Sequence, residues 1–222
     1  VLNDRALIML EDTFKHKGLR KKLVEEIRSK GIKDEKVLSA IGNVPRHFFL
    51  DKAFVEYAYV DKAFPIAAGQ TISQPYTVAY QTQLLGELQG KKILEIGTGS
   101  GYQTSILCEC GAKVYSIERQ KELYDKTKKL FETTLNYKPK LFYGDGFKGL
   151  PAFAPFDGIL ITCGAPEIPA ELLKQLKTGG ILVCPVGVDV QIMTTVLKKG
   201  ESDFETIELD KFRFVPMLQN KV

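Results

Sequence analysis

The sequence predicts an α/β protein built on an open, mainly parallel, doubly wound sheet of seven strands, with extra helices at its N-terminal end. Three features predict it. Short apolar runs alternate with helical spacings from Lys91 onward; one of these runs passes directly into the glycine-rich turn Gly97-Thr98-Gly99-Ser100-Gly101; and the last two strand patterns are joined by a turn rather than a helix. A helix between successive strands supplies the crossover that parallel pairing requires, and it covers the sheet on both faces.

Residues 1–42 read as helical. Leu7, Leu10, Phe14, Leu19, Leu23 and Ile27 recur at three- and four-residue spacings, which gives one apolar face. Gly18 and Gly31 interrupt the pattern and are expected to end helices. A further helix near residues 34–41 follows, capped by Asp34 and stopped by Pro45. Residues 43–75 read as an irregular, aromatic-rich loop, of a length that is usually functional. Residues 76–88 return to helix through Val78, Leu84, Leu85 and Leu88. Strands are then predicted at 92–96, 113–117, 140–143, 156–162 and 180–186, with helices at 101–110, 120–135 and 169–176. Strands 190–198 and 204–214 close the chain as an antiparallel hairpin around Lys199-Gly200-Glu201-Ser202.

Composition narrows the function. The 222 residues are 44% hydrophobic and 26% charged, ordinary for a globular chain. A net charge of +4, evenly spread, argues against a nucleic-acid partner. The basic run from Lys15 to Lys22 has helical spacing and reads as a solvated face. No apolar run approaches the roughly 20 residues that span a bilayer, and Asp4, Arg5, Glu11 and Asp12 do not suit a signal peptide, so a cytoplasmic protein is expected. Cys108, Cys110, Cys163 and Cys184 lack zinc spacing, and only His16 and His47 could add imidazole ligands. No metal is expected, and the thiols read as reduced and mostly buried.

The chemistry concentrates at strand ends. In Glu95-Ile96-Gly97-Thr98-Gly99-Ser100-Gly101, glycines permit a sharp turn and close approach of backbone to a ligand. The third glycine comes one residue earlier than in the dinucleotide pattern, and Glu95 precedes the first by two positions. A carboxylate repels a pyrophosphate but suits a cationic methionyl group, so the loop resembles that of S-adenosylmethionine-dependent methyltransferases. Glu118 falls 17 residues after Gly101, near the offset of a ribose-binding acid. Asp145, between Gly144 and Gly146, stands where such enzymes hold the adenine amino group. These acids do not identify the methyl acceptor. A methyltransferase acting on RNA or a small molecule, a non-catalytic cofactor-binding module and, less favoured by the glycine spacing, a dehydrogenase remain open on them alone.

The acceptor is suggested by other segments. Gly69-Gln70-Thr71-Ile72-Ser73-Gln74-Pro75-Tyr76, Val44-Pro45-Arg46-His47-Phe48-Phe49, Gly164-Ala165-Pro166, Pro185-Val186-Gly187 and Arg213-Phe214-Val215-Pro216 together resemble the signature of protein-L-isoaspartate O-methyltransferases, in order, from about residue 30 to 217. The sequence departs from that family at Ala67-Ala68, where a glycine is common, at Ala63-Phe64, and at Met217, where a leucine is common. The resemblance implies one methyltransferase domain over 1–222, with N-terminal helices and the substrate and cofactor loop in 1–90 and a Rossmann-like core in 91–222. It implies transfer of a methyl group from S-adenosylmethionine to the α-carboxylate of L-isoaspartyl residues in damaged proteins and peptides. The ester then closes to a succinimide, so the outcome is repair. The enzyme is expected to be monomeric, with no membrane partner.

The implied cofactor residues are Gln70, Thr71, Ile72, Ser73, Glu95, Gly97, Thr98, Gly99, Gly101, Glu118, Arg119, Asp145 and Gly146. The implied catalytic residue is Ser73. A carboxylate, with an ordinary pKa of about 4, is already an anion at neutral pH, so no general base is needed and orientation is the main task. Ser73 is therefore read as an orienting hydrogen-bond donor, with Thr71 as a helper. It could also cap the following helix, which Pro75 would favour. His47 reads as a packed or surface histidine. Arg46 could pair with an internal acid or approach the substrate.

Overall fold

The computed structural model describes residues 11–222. The part of the helical pattern on residues 1–10, with Leu7 and Leu10, lies outside the described residues, as do Asp4 and Arg5.

Helix α1 (Phe14–Ser29) begins at a reciprocal cap in which the Thr13 hydroxyl accepts from the His16 N–H and the His16 ring accepts from the Thr13 N–H. Leu23 and Ile27 are buried, but Phe14 is 93% exposed, so the apolar stripe excludes it. Gly18 does not end a helix; it lies inside α1. A glycine there costs about 1 kcal/mol relative to alanine. Burial returns roughly 1.5–3 kcal/mol for each of Leu23 and Ile27, which outweighs it. Gly31, at φ +103°, does mark the stop. Helix α2 (Glu35–Asn43) opens on Asp34, whose carboxylate accepts from the Lys36 and Val37 N–H groups.

The loop from 43 to 75 is more ordered than its composition suggests. It contains 3-10 turns at Arg46–Phe49, Lys52–Tyr57 and Ala67–Gly69, and a two-stranded ribbon of β1 (Phe64–Pro65) and β2 (Thr71–Ile72). Ala68 sits in the left-handed region at φ 55° and ψ 29°, a conformation that glycine adopts without strain. Helix α3 (Pro75–Leu84) stops four residues short of the expected end, because Gly86 turns at φ +72°; Leu85 and Leu88 are still buried beyond it.

The core follows the predicted alternation: β3 (Lys92–Ile96), α4 (Tyr102–Glu109), β4 (Lys113–Glu118), α5 (Lys121–Thr133), β5 (Lys140–Tyr143), β6 (Phe156–Ile161), α6 (Ala170–Gln175), β7 (Leu176–Val186), β8 (Gln191–Lys198) and β9 (Phe204–Phe212). The sheet order is β5-β4-β3-β6-β7-β8-β9. Pairings from β5 through β7 are parallel, and β8 and β9 are antiparallel. One face carries the core containing Leu23, Ile41, Val78 and Ile106, the other the core containing Leu94, Ile159, Leu172 and Leu182. The order reverses at β3, with β4 on one side and β6 on the other, so a crevice opens beyond their carboxyl ends.

Strand β9 ends at Phe212 rather than 214. Beyond it the chain leaves β8 and crosses the strand tips, where the Gly164 N–H donates to the Val215 carbonyl (2.8 Å) and the Met217 N–H to the Gly164 carbonyl (2.7 Å). The segment that follows the last strand thus covers the crevice.

Candidate active site

At the end of β3 the backbone turns at Gly97, φ +98°. A Cβ there would lie 2.5 Å from the Thr162 hydroxyl oxygen, so only glycine lets the β3 and β6 ends meet this closely. Gly101, φ +86°, is the N-cap of α4, and a Cβ on it would lie 2.8 Å from Phe131 and Thr127. Between them the Gly99 N–H donates to one Glu118 oxygen (2.8 Å), while the other accepts from the Gln120 N–H (2.8 Å). Glu118 is 4% exposed and fixed as a directional acceptor at the tip of β4.

These elements line a cavity that opens beyond the strand ends. Gln70, Thr71, Ile72, Ser73, Gly97, Thr98, Gly99, Glu118, Arg119 and Gly146 all line it, which brings together most of the expected residues from distant segments. Glu95, Gly101 and Asp145 are not on its wall.

Glu95 departs from its expected place beside a methionyl cation. Side chains alternate along a strand, so while Ile96 faces the cavity, Glu95 points back under α4 and is 0% exposed. There it accepts from the Thr104 hydroxyl, its other oxygen has no partner, and burial pushes its carboxyl up to about 8. Asp145 spends its carboxylate locally: one oxygen accepts from the Phe147 N–H (2.9 Å), the other from the Asn220 N–H (3.0 Å). Arg119 donates to the carbonyls of Asn220 (2.8 Å) and Gln219 (3.3 Å). The two side chains therefore anchor the tail behind the cover segment.

The cavity also has walls that the sequence reading did not assign: Thr162 and Cys163 after β6, and Val215, Pro216, Met217 and Leu218 from the cover. The rule that located Gly97 and Glu118, that ligands lie beyond strand ends, also locates Thr162 and Cys163. Cys163 is consequently only partly buried, as is Cys108, whereas Cys110 and Cys184 are buried; all four thiols are free.

A second cavity adjoins the first. Thr71, Ser73, Thr162 and Val215 line both. The second is completed by Gln74, Tyr76, Phe212 and Phe214, and by the cations Lys30, Lys211 and Arg213. Ser73 therefore stands on the shared wall. It is not the cap of α3: Gln74 holds that position without a side-chain cap bond, and Pro75 occupies the first turn. The segment is instead fixed by Asp61. Its side chain, 2% exposed, accepts from the Tyr76 N–H (2.7 Å), the Gln74 amide (2.9 Å) and the Lys30 ammonium (2.6 Å).

His47 is 2% exposed, its ring bonded to the Tyr59 hydroxyl, and burial pushes its pKa down to about 4. It lies off both cavity walls and cannot serve as a base there. It gathers with His16 and Asp12 in one cluster, but Arg20 engages both Asp12 oxygens, at 2.7 and 2.8 Å. Arg46 follows neither expected role. It is 0% exposed, 4.7 Å from the ring centroid of Tyr102, and it backs the cavity wall from inside, donating to the Lys62 carbonyl (3.2 Å). Burial lowers its pKa to about 10, still cationic at neutral pH.

The sequence profile of the protein-L-isoaspartate(D-aspartate) O-methyltransferase family matches residues 18–222. The chain is 60% identical over 213 residues to the protein-L-isoaspartate O-methyltransferase of Christiangramia forsetii, covering 96% of this chain and 100% of that protein. It is 59% identical, with the same coverage, to that of Flavobacterium johnsoniae. A solved protein-L-isoaspartate O-methyltransferase superposes with a TM-score of 0.82 at 27% identity, covering 90% of this chain and 66% of that one. A Plasmodium falciparum structure of the same description, in complex with S-adenosyl-L-homocysteine, shares the fold with a TM-score of 0.79 at 24% identity, covering 92% and 99%.

Proposed function

The chain belongs to the protein-L-isoaspartate(D-aspartate) O-methyltransferase family, and from that premise we propose that Ser73 orients the acceptor carboxylate where the two cavities share a wall. The reaction itself is methyl transfer from S-adenosylmethionine to the free α-carboxylate of L-isoaspartyl residues, the step that starts their repair through a succinimide.

The first cavity fits the cofactor. Glycine at 97 and 146 lets the strand ends and the following loop pack closely around it, since a Cβ on Gly146 would meet Ile96 at 2.4 Å. The Glu118 carboxylate on the wall suits hydroxyl donors of a ribose and would repel a pyrophosphate. Bound there, S-adenosylmethionine supplies an electrophilic methyl group and a neutral thioether leaving group. Gly97, Thr98, Gly99, Glu118 and the cover segment would hold it.

The second cavity would hold the isoaspartyl segment. The observation that carries this reading is the shared wall of Thr71, Ser73, Thr162 and Val215: a group gripped there reaches both spaces at once. The acceptor arrives ionised, so the residues need only place one oxygen in line and exclude water. Ser73 donates its hydroxyl hydrogen to the carboxylate, Thr71 assists, and Asp61 keeps the segment at its height. Because the acceptor is already an anion, no proton has to move. We also read the enzyme as a cytoplasmic monomer acting without nucleic acid or membrane. The small net charge of +4 supports the lack of a nucleic-acid partner, and among the described residues no helix is long and apolar enough to cross a membrane.

The reading is tested with labelled cofactor and a pair of peptides that differ only in an isoaspartyl or aspartyl linkage. Label is expected on the isoaspartyl peptide. Equal labelling of both, or none of the isoaspartyl one, contradicts it.

A further inference from the structure

The second cavity carries three cations, Lys30, Lys211 and Arg213, and no carboxylate on its wall. They are not equivalent. Lys30 is answered by Asp61 and Glu26, each at 2.6 Å. Lys211 and Arg213 are exposed, and among the described residues neither has an ion-pair partner within 4.0 Å. The nearest acid in sequence, Asp210, accepts the Tyr80 hydroxyl (2.9 Å) and stays off the wall.

Phe212 packs on Tyr80 with ring centroids 5.1 Å apart and on Phe214 at 6.3 Å. Lys211 and Arg213 lie two residues apart and line the same cavity as Phe212 and Phe214. Two residues of extended chain separate them, a rise of about 7 Å. Alternate side chains of an extended peptide lying along the cavity have the same spacing. Ser73 lines both cavities whereas Lys211 and Arg213 line only the second, which assigns the pair to residues that flank the isoaspartate rather than to the isoaspartate itself.

We propose that Lys211 and Arg213 set substrate choice among damaged sites, favouring isoaspartyl residues flanked by aspartate or glutamate. The proposal rests on the methyl-transfer reading above. Exposed ion pairs are individually weak, so the preference belongs in KM, where initial capture is read, and it should fade as salt screens the charges.

The test uses three isoaspartyl peptides identical except for glutamate, glutamine or lysine flanks. KM and kcat are measured at low and high salt for the wild type, for a Lys211→Gln, Arg213→Gln variant and for a Lys211→Glu, Arg213→Glu variant. In the wild type, KM is expected to rise in the order glutamate, glutamine, lysine, over about three- to tenfold at low salt, narrowing at high salt. The neutral variant should lose the order and the reversed variant should invert it. An order that persists in the neutral variant, a wild type indifferent to flanks, or an equal rise in KM for all three peptides each overturns the proposal; the last would assign the cations to the isoaspartyl carboxylate. Methylation of no peptide by the wild type would overturn the reaction reading as well, and so is distinguishable from a failure of selectivity alone.

Discussion

The two sides of the shared wall are built in different ways. The cofactor side rests on tight backbone turns at strand ends: Gly97–Ser100, Gly146, and the Glu118 carboxylate held by two N–H groups. The acceptor side is made of side chains tied across long sequence separations, as when Asp61 fastens Gln74 and Tyr76 to Lys30. The difference teaches where each function is vulnerable. A backbone cradle fails sterically, at one atom, and takes cofactor binding with it. A side-chain truss fails by loosening, and should damage turnover while leaving the cradle intact.

The largest effect is therefore expected at Gly97. Gly97→Val places carbon 2.5 Å from the Thr162 oxygen at a backbone φ of +98° that valine does not adopt. Overpacking of about 1–3 kcal/mol together with backbone strain of similar size should weaken binding of S-adenosylhomocysteine at least about 100-fold. Titration calorimetry checks it, and near-normal affinity would show that the turn is not the cradle.

Breaking the other side sharpens the contrast. Asp61→Ala removes the acceptor of three donors, each hydrogen bond to its charge contributing about 1.5–3 kcal/mol before relaxation. Turnover should fall about tenfold or more, with cofactor affinity within about threefold of wild type. A parallel loss of cofactor affinity would mean that the two sides are one unit.

This same division decides what was legible in the sequence. The mainly parallel sheet, the glycine turn and Glu118 could be read because each is encoded within a few residues: an apolar run, then glycine, then helix. Glu95 was misplaced because spacing does not say which face of β3 it takes, and the pleat turned it under α4. Asp61 gave no local signal; its partners lie at separations of 13, 15 and 31 residues. Residues 213 and 214 read as the end of the last strand, although β9 stops at Phe212 and the chain beyond it turns to bond Gly164. Gly18 misled in the opposite direction, since a weak local preference yielded to burial of the helix around it.

The smallest effect is expected at Ala68, the residue at φ 55° in the loop leading to Ser73. Ala68→Gly relieves left-handed strain of about 1 kcal/mol, offset in part by the entropy of a freer unfolded chain. The melting temperature should rise by about 1–3 °C. A fall would mean that the alanine methyl contributes packing that the strain does not cancel.

The shared wall is tested most directly by Ser73→Ala, followed by single-turnover methylation of an isoaspartyl peptide and by cofactor titration on the same preparation. The expected result is methyl transfer slowed about tenfold or more, as for loss of one hydrogen bond to a charged acceptor, with cofactor affinity unchanged within about twofold. Transfer at the wild-type rate would contradict the orienting role and move the acceptor carboxylate away from the wall where the two cavities meet.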